Sequence, residues 1–306
     1  MRRSIATTLV LACLLTVETV AAQTRVSVIY PHTSPAVAGL FQTIIDGMAT
    51  AGDVRIQNRS VDSDTRPDEV KAWLAEHRTQ VTVTLGELPA AIAEPLAGTG
   101  QLVRGAVPLN DNSTPGVSLA SSPAQMFARL RQIKPDVERV FVVYRPQNTG
   151  WLMAAARTAA REQGLELSAS ACENVQQAVA ALGRFAQQAR PGRDAIWLTL
   201  DPVVPMNQML PVLLRESWDR QIVLFSNNPM DVAKGALFAL YPDYAAMGRQ
   251  LAEYARRHAT RPVSGGPEAN ESLLIAVNVR TASHLGLTLG SRQLQAFDRV
   301  FPAEPR

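Results

Sequence analysis

Residues 26–30 form a short apolar run, after which Val37, Leu40, Phe41, Ile44, Ile45 and Met48 recur at the spacing of a helix with one apolar face. The alternation continues. Residues 54–58 read as a second strand. Pro67 opens a helix carrying Val70, Trp73 and Leu74, residues 81–85 are a third strand, 89–96 a third helix and 101–107 a fourth strand. A turn-rich stretch, LNDNSTPG at 109–116, interrupts the rhythm. It restarts at Ser122-Pro123, a cap followed by a helix whose Met126, Phe127, Leu130 and Ile133 share a face. Strands are then expected at 139–144, 165–169, 195–200 and 222–225, with helices between them. The tail reads as strand 236–240, helix 244–257 and strand 273–279. Two runs of alternating βα units predict an α/β chain of two lobes, each a parallel sheet covered on both faces.

Four strand-to-helix junctions carry polar or glycine residues. They are VTVTLGELPAAI at 81–92, VVYRPQNTGWLMAAAR at 142–157, AIWLTLDPVVPMNQML at 195–210 and IVLFSNNPMDVA at 222–233. In a parallel sheet all such junctions lie at the carboxyl ends of the strands, where open α/β sheets bind ligands. Two lobes with these edges facing would line a cleft from both sides. Each residue alone reads equally well as a helix cap, since Asn148 or Thr149, Asp201 and Asn227 are all good capping types. Their recurrence at four junctions favours a cleft.

The first residues form a leader. Arg2 and Arg3 precede an apolar run at 5–17, and Val20-Ala21-Ala22 offers small residues for cleavage before Gln23. The run is too short to span a bilayer. A cleaved signal peptide predicts a periplasmic or secreted mature chain; lipid attachment at Cys13 is the minority alternative. Export leaves Cys172 as the one cysteine, read as a buried apolar side chain with no disulfide. Removing Arg2, Arg3 and Glu18 lowers the net charge from +3 to +2. That gives no electrostatic footprint for nucleic acid or a membrane surface. The cluster Arg256-Arg257-His258 reads as a helix end.

Enzymatic signatures are missing. The sequence holds no G-x-S-x-G elbow, no H-E-x-x-H and no phosphate loop, and Gly98, Gly100 and Gly105 lack dinucleotide spacing. His32, His77, His258 and His284 stand apart from one another, without metal-site spacing. Only His32, just after the first strand, faces the expected cleft. Asp62 and Asp64 read as a turn and cap rather than an acid/base pair. No catalytic residue, metal or cofactor is assigned.

One long stretch, PAQMFARLRQIKPDVERVFVVYRPQNTGWLMAAARTAAREQGLEL, resembles the signature of a group of ABC-transporter substrate-binding proteins. In that group a helix ending in a Lys-Pro or Leu-Pro turn leads to a strand closing in Tyr-Asn-Pro-x-Asn. Tyr144, Pro146 and Asn148 match, while Arg145 replaces the first asparagine. DAIWLTLDP at 194–202, KGALFALYPDYAAMGRQLAEYA at 234–255 and VNVRTASHLGLTL at 277–289 are also similar. TPGVS at 114–118 resembles the family's short strand before its first crossover. The resemblance implies the type I periplasmic-binding fold: two Rossmann-like lobes joined by a multi-crossover hinge, with a ligand clamped between them. It implies an amino-terminal lobe of 23–119 plus about 240–265, and a second of 120–239 plus about 266–306, after a signal peptide at 1–22.

Two departures fall on the ligand side of the amino-terminal lobe. Relatives carry glycine then threonine or serine after the third strand, where this chain has Gly86-Glu87, and their Ser-Asp-Pro segment after the fourth strand is missing. A carboxylate at Glu87 would favour a cationic or donor-rich ligand group and disfavour a carboxylate; as a solvated acid in a helical first turn it would do neither. The expected ligand contacts are Tyr30, His32, Gly86, Glu87 and Leu88 from one lobe, and Asn148, Thr149, Asp201 and Asn227 from the other. The expected function is capture of a small polar, amino-acid-like molecule for an ABC permease. The alternatives are the same fold partnering a membrane receptor or kinase as a sensor and, from another class, an exported α/β enzyme using Asp201 or Glu87 as a base.

Overall fold

The computed structural model describes residues 23–96, 100–110, 115–260 and 266–303. The leader, with Cys13, lies outside the described residues, as does Thr114. Among the described residues thirteen strands form two sheets. The first holds β1 (Thr24–Pro31), β2 (Val54–Val61), β3 (Val81–Leu85), β4 (Gln101–Gly105) and β5 (Gly116–Ser121). The second holds β6 (Arg139–Tyr144), β7 (Glu166–Ala171), β8 (Asp194–Leu198), β9 (Val223–Ser226) and β10 (Phe238–Pro242). The chain then adds β11 (Glu268–Asn270) to the first sheet and β12 (Leu273–Asn278) and β13 (Arg299–Phe301) to the second.

The first sheet runs β2-β1-β3-β4-β5-β11 and the second β7-β6-β8-β9-β10-β12-β13. The two lobes therefore repeat one order, and each has its topological switch point between its first and third strands. All pairs are parallel except β10 with β12, a departure from the purely parallel expectation. Neither β11 nor β13 is expected from the sequence. Each is three residues long at or near an edge, too short for an apolar run to declare it.

Both faces of each sheet are covered, which is why the central strands of the second sheet read as near-continuous apolar runs, while in the first β3 alternates valine with buried Thr82 and Thr84. Along β8, Ala195 and Trp197 join the core on one face with Phe127 and Phe225, while Ile196 and Leu198 join Phe141 and Phe185 on the other. Trp197 and Phe225 stack, and Phe127 meets the Trp197 ring edge-on at 5.4 Å. Cys172 is buried in the second of these clusters. The first sheet is sealed by helix Pro35–Ala49, which crosses helix Tyr244–Thr260 at two glycines. A Cβ on Gly47 would stand 2.1 Å from the Ala245 carbonyl, and one on Gly248 2.1 Å from that of Ile44.

Among the described residues the chain passes between the sheets three times: after Ser121, after Pro242 and between Asn270 and Leu273. The crossings are tied to one another. Ser121 Oγ donates to the Leu240 carbonyl at 3.0 Å, Ser122 N to the Asn270 carbonyl at 2.9 Å, and Ser272 N to Asn270 Oδ1 at 2.8 Å. Beside the crossings, Trp151 Nε1 donates to the Leu109 carbonyl at 2.8 Å, joining helix Pro146–Glu162 to the segment after β4.

Candidate functional site

On the second lobe, the carboxyl edge is organised around Asp201. Its Oδ2 accepts from Arg145 N at 2.8 Å and from Thr149 Oγ1 at 2.6 Å, and its Oδ1 accepts from Val203 N at 2.9 Å. One buried carboxylate thus binds the junction after β6 to the junction after β8, across the switch point. Asp201 is not the cap of the following helix, which starts only at Met206, with Pro205 at its N-cap. Asn148 sits partly buried in the first turn of helix Pro146–Glu162, its N–H donating to the Arg145 carbonyl at 3.0 Å. The Nε of Arg145 is buried with no hydrogen-bond partner among the described residues.

Asn227 also turns inward. Its Oδ1 accepts from Trp197 Nε1 at 3.0 Å, and its Nδ2 lies 3.7 Å from Met126 Sδ. The indole N–H of a fully buried tryptophan needs such an acceptor. Capping falls instead to Asn228, whose Oδ1 accepts from Met230 N at 3.0 Å. Ser226 Oγ donates to the Asp231 carboxylate; burial pushes that carboxyl above its ordinary range, against the opposing pull of Ser226 and Lys234.

The first lobe's edge is more open. Gly86 follows β3 at φ 92° and ψ 167°, a conformation open in practice only to glycine. It lets the chain turn beside Pro31 and Phe41, both close to the place a Cβ would occupy. The Tyr30 and Phe41 rings lie 6.5 Å apart. Glu87 and Leu88 are exposed in the first turn of helix Glu87–Ala93, where Glu87 Oε2 reaches Arg104 Nη2 at 3.8 Å. His32 is exposed and donates its backbone N–H to the Val61 carbonyl. Asp62 closes a turn by accepting from Thr65 Oγ1 and Asp64 N. Among the described residues no cluster of His, Cys, Asp and Glu could hold a metal ion.

Both lobes meet at a cavity of about 330 Å³ beside the crossings. Leu119 and Tyr244 reach it from the first lobe, Leu200 and Asn227 to Pro229 from the second, with Tyr241 and Arg299 completing the wall. Of the nine residues expected from sequence, Asn227 alone lines it. Thr149 and Asp201 meet each other behind the second edge, while Tyr30 and Gly86 converge on Phe41 at the first. Burial pushes the phenols of Tyr241 and Tyr244 up, with Arg299 pulling against it, so both remain neutral donors. Sequence reasoning missed Tyr241, Tyr244, Asn228 and Arg299. The stretch at 234–255 that resembles the family contains both tyrosines, but such a resemblance points to the fold and not to the direction in which either phenol faces.

The sequence model described as "ABC transporter substrate binding protein" matches residues 77–300. A comparison with curated protein sequences gave no match. Among solved structures, a substrate-binding protein with adhesive properties from Clostridium difficile, in its ligand-free, open form, is similar at a TM-score of 0.59 and 14% identity, over 90% of this chain and 99% of its own. An ABC domain in complex with L-Trp from Streptococcus pneumonia gives 0.53 and 16%, over 92% and 100%. A conserved domain protein from Vibrio cholerae gives 0.53 and 19%, over 91% and 99%. At these identities the likeness establishes the fold, the two-lobed type I periplasmic-binding architecture.

Proposed function

The chain belongs to the ABC transporter substrate-binding proteins, and from that premise we propose that it captures a small polar, amino-acid-like molecule between its lobes and delivers it to an ABC permease. The observation that carries this reading is the cavity built from both lobes and from the strands that join them. Its volume is in the range of small-molecule sites, and its wall combines apolar surface with a few polar groups, Asn228, the two phenols and Arg299. Among the described residues no helix is long and apolar enough to cross a membrane, in keeping with export of the mature chain through the leader at 1–22 into the periplasm.

In this reading the two edges have different tasks. The second edge is a wall already set by Asp201, Thr149 and Asn227, with Asn148 in its first helical turn. The first edge brings Tyr30, His32, Gly86, Glu87 and Leu88 over the guest as the lobes approach. Closure is a population shift, because contacts to both edges exist only in the closed form, so the ligand stabilises that form. No bond is made or broken by the chain.

The test is calorimetry and thermal shift on the protein from Gln23 onward, screened against amino acids, small acids and amines. A ligand raises the melting temperature by linkage. Leu200→Trp, which fills the cavity from a partly exposed position, abolishes that rise while the unliganded protein stays folded. A hit that binds Leu200→Trp as tightly as the parent overturns the assignment of the cavity.

A further inference from the structure

The amino-terminal edge of the first sheet, remote from the cleft, carries a groove of about 340 Å³ whose walls include Arg25, Arg55, Arg78, His77, Gln57 and Glu76. A neighbouring groove of about 190 Å³ shares Arg78 and adds Lys71, Gln80 and Gln101. Arg25 and Arg55 are register partners on β1 and β2, so two like charges stand side by side. Unrelieved, that placement is unfavourable. Arg25 Nε donates to the Arg78 carbonyl at 2.7 Å, fastening the loop before β3 to β1. Arg78 itself sits at φ 50°, in the left-handed region that a long side chain rarely adopts.

Among the described residues none of these three arginines makes an ion pair. Glu76 on the groove wall is not within ion-pair distance of any of them. Beyond the bond from Arg25 Nε to the Arg78 carbonyl, the three guanidinium groups on this groove make no side-chain hydrogen bond or ion pair among the described residues: two stand like with like and the third is held in a strained backbone. We infer that the groove binds a phosphate-bearing anion. Planar guanidinium forks match phosphoryl oxygens two bonds at a time, and an anion seated between Arg25 and Arg55 removes their mutual repulsion. The small net charge of the chain does not argue against this, because it averages over the whole surface what is concentrated here.

The phosphoryl group can come from a free polyphosphate or from a lipid headgroup, and the experiment separates them. Protein from Gln23 onward is titrated with inorganic pyrophosphate by calorimetry at low ionic strength. In parallel it is sedimented with phosphatidylglycerol–phosphatidylcholine vesicles and with vesicles of pure phosphatidylcholine. Pyrophosphate binding alone identifies a free anion, and retention on the anionic vesicles alone identifies a headgroup. Either supports the site. Binding weakens about tenfold or more in Arg25→Gln/Arg55→Gln, and also in Arg78→Gly. Arg78→Gly melts no lower than the parent, because glycine accepts the left-handed backbone; its loss of binding is therefore not a loss of folding. Absence of binding in both arms, or binding that survives Arg78→Gly, overturns the proposal.

Discussion

Arginines stand at the amino-terminal edge of both sheets, on the first strand of each lobe and in the loop before its third, and the two sets are treated in opposite ways; the register partner of Arg139 is Glu166, where that of Arg25 is Arg55. In the second lobe Arg139 Nη2 meets Asp194 Oδ2 at 2.6 Å, and Arg190 meets Asp194 at 2.8 Å and Glu138 at 2.9 Å. Arg193 also pairs with Glu138. Arg139 lies over the Phe185 ring at 5.0 Å as well. Asp194 is wholly buried; burial pushes its carboxyl up, but hydrogen bonds from Arg190, Arg139 and the Arg190 N–H outweigh it and hold the group below its ordinary range. In the first lobe Arg25, Arg55 and Arg78 stand on the equivalent strand β1, its neighbour β2 and the loop before β3 with no such partner. Where arginines secure the fold, this chain supplies carboxylates. At this edge of the first lobe Glu76 lines the groove without pairing with any of the three, and that is what marks the edge for a ligand.

The largest effect that can break the comparison is at its paired end. Asp194→Ala leaves Arg139 and Arg190 facing an empty acceptor and lowers stability by about 3–4 kcal/mol, read by urea denaturation. The folded pKa of Asp194 lies below its unfolded value, so its contribution is fully present above about pH 4 and is lost as pH falls through the folded value. Asp194→Asn therefore flattens the acid limb of the stability profile below that point. If the limb is unchanged, the Asp194 pairs are not what secures this edge.

The opposite edges extend the contrast, since there the second lobe is bonded within itself and the first is shaped by backbone. Asp201→Ala removes three hydrogen bonds to one buried carboxylate and costs about 3 kcal/mol. An unaltered denaturation midpoint would mean that the junctions after β6 and β8 do not depend on each other. Gly86→Ala costs about 1–3 kcal/mol from backbone strain alone, because the added methyl meets only ordinary contacts. Calorimetric melting that matches the parent would show that the first edge relaxes freely. The smallest effect is Arg55→Glu, which gives Arg25 an exposed partner. Stability changes by less than about 1 kcal/mol, while pyrophosphate affinity is lost, so the substitution separates a binding role from a structural one.

The fold was legible wherever strands are central. Strands β6, β8 and β9 lie inside their sheet and declare themselves as near-continuous apolar runs, while β3 is carried by Val81, Val83 and Leu85 alternating with buried Thr82 and Thr84. The unread strands β11 and β13 are three residues long and take their place from pairing, not from their own composition. At the site, strand-to-helix junctions marked the right edge of each sheet, but not which way a side chain turns. Asp201 and Asn227 look like ligand contacts in sequence, yet their oxygens are claimed by Thr149 and Trp197. Tyr241, Tyr244 and Arg299 come from a crossing strand, the helix after it and the tail, places where no junction motif points. The groove arginines were invisible for a related reason: three separate elements assemble them.

Neither lobe is one continuous stretch of chain. The helix at Tyr244–Thr260 and the strand at Glu268–Asn270 belong to the first sheet's layer system but are made after most of the second. During synthesis the first lobe therefore waits, with its Pro35–Ala49 face uncovered, until the chain through Thr260 has left the ribosome. A chain so ordered stays threadable late, and a single nick by a protease cannot release either half intact.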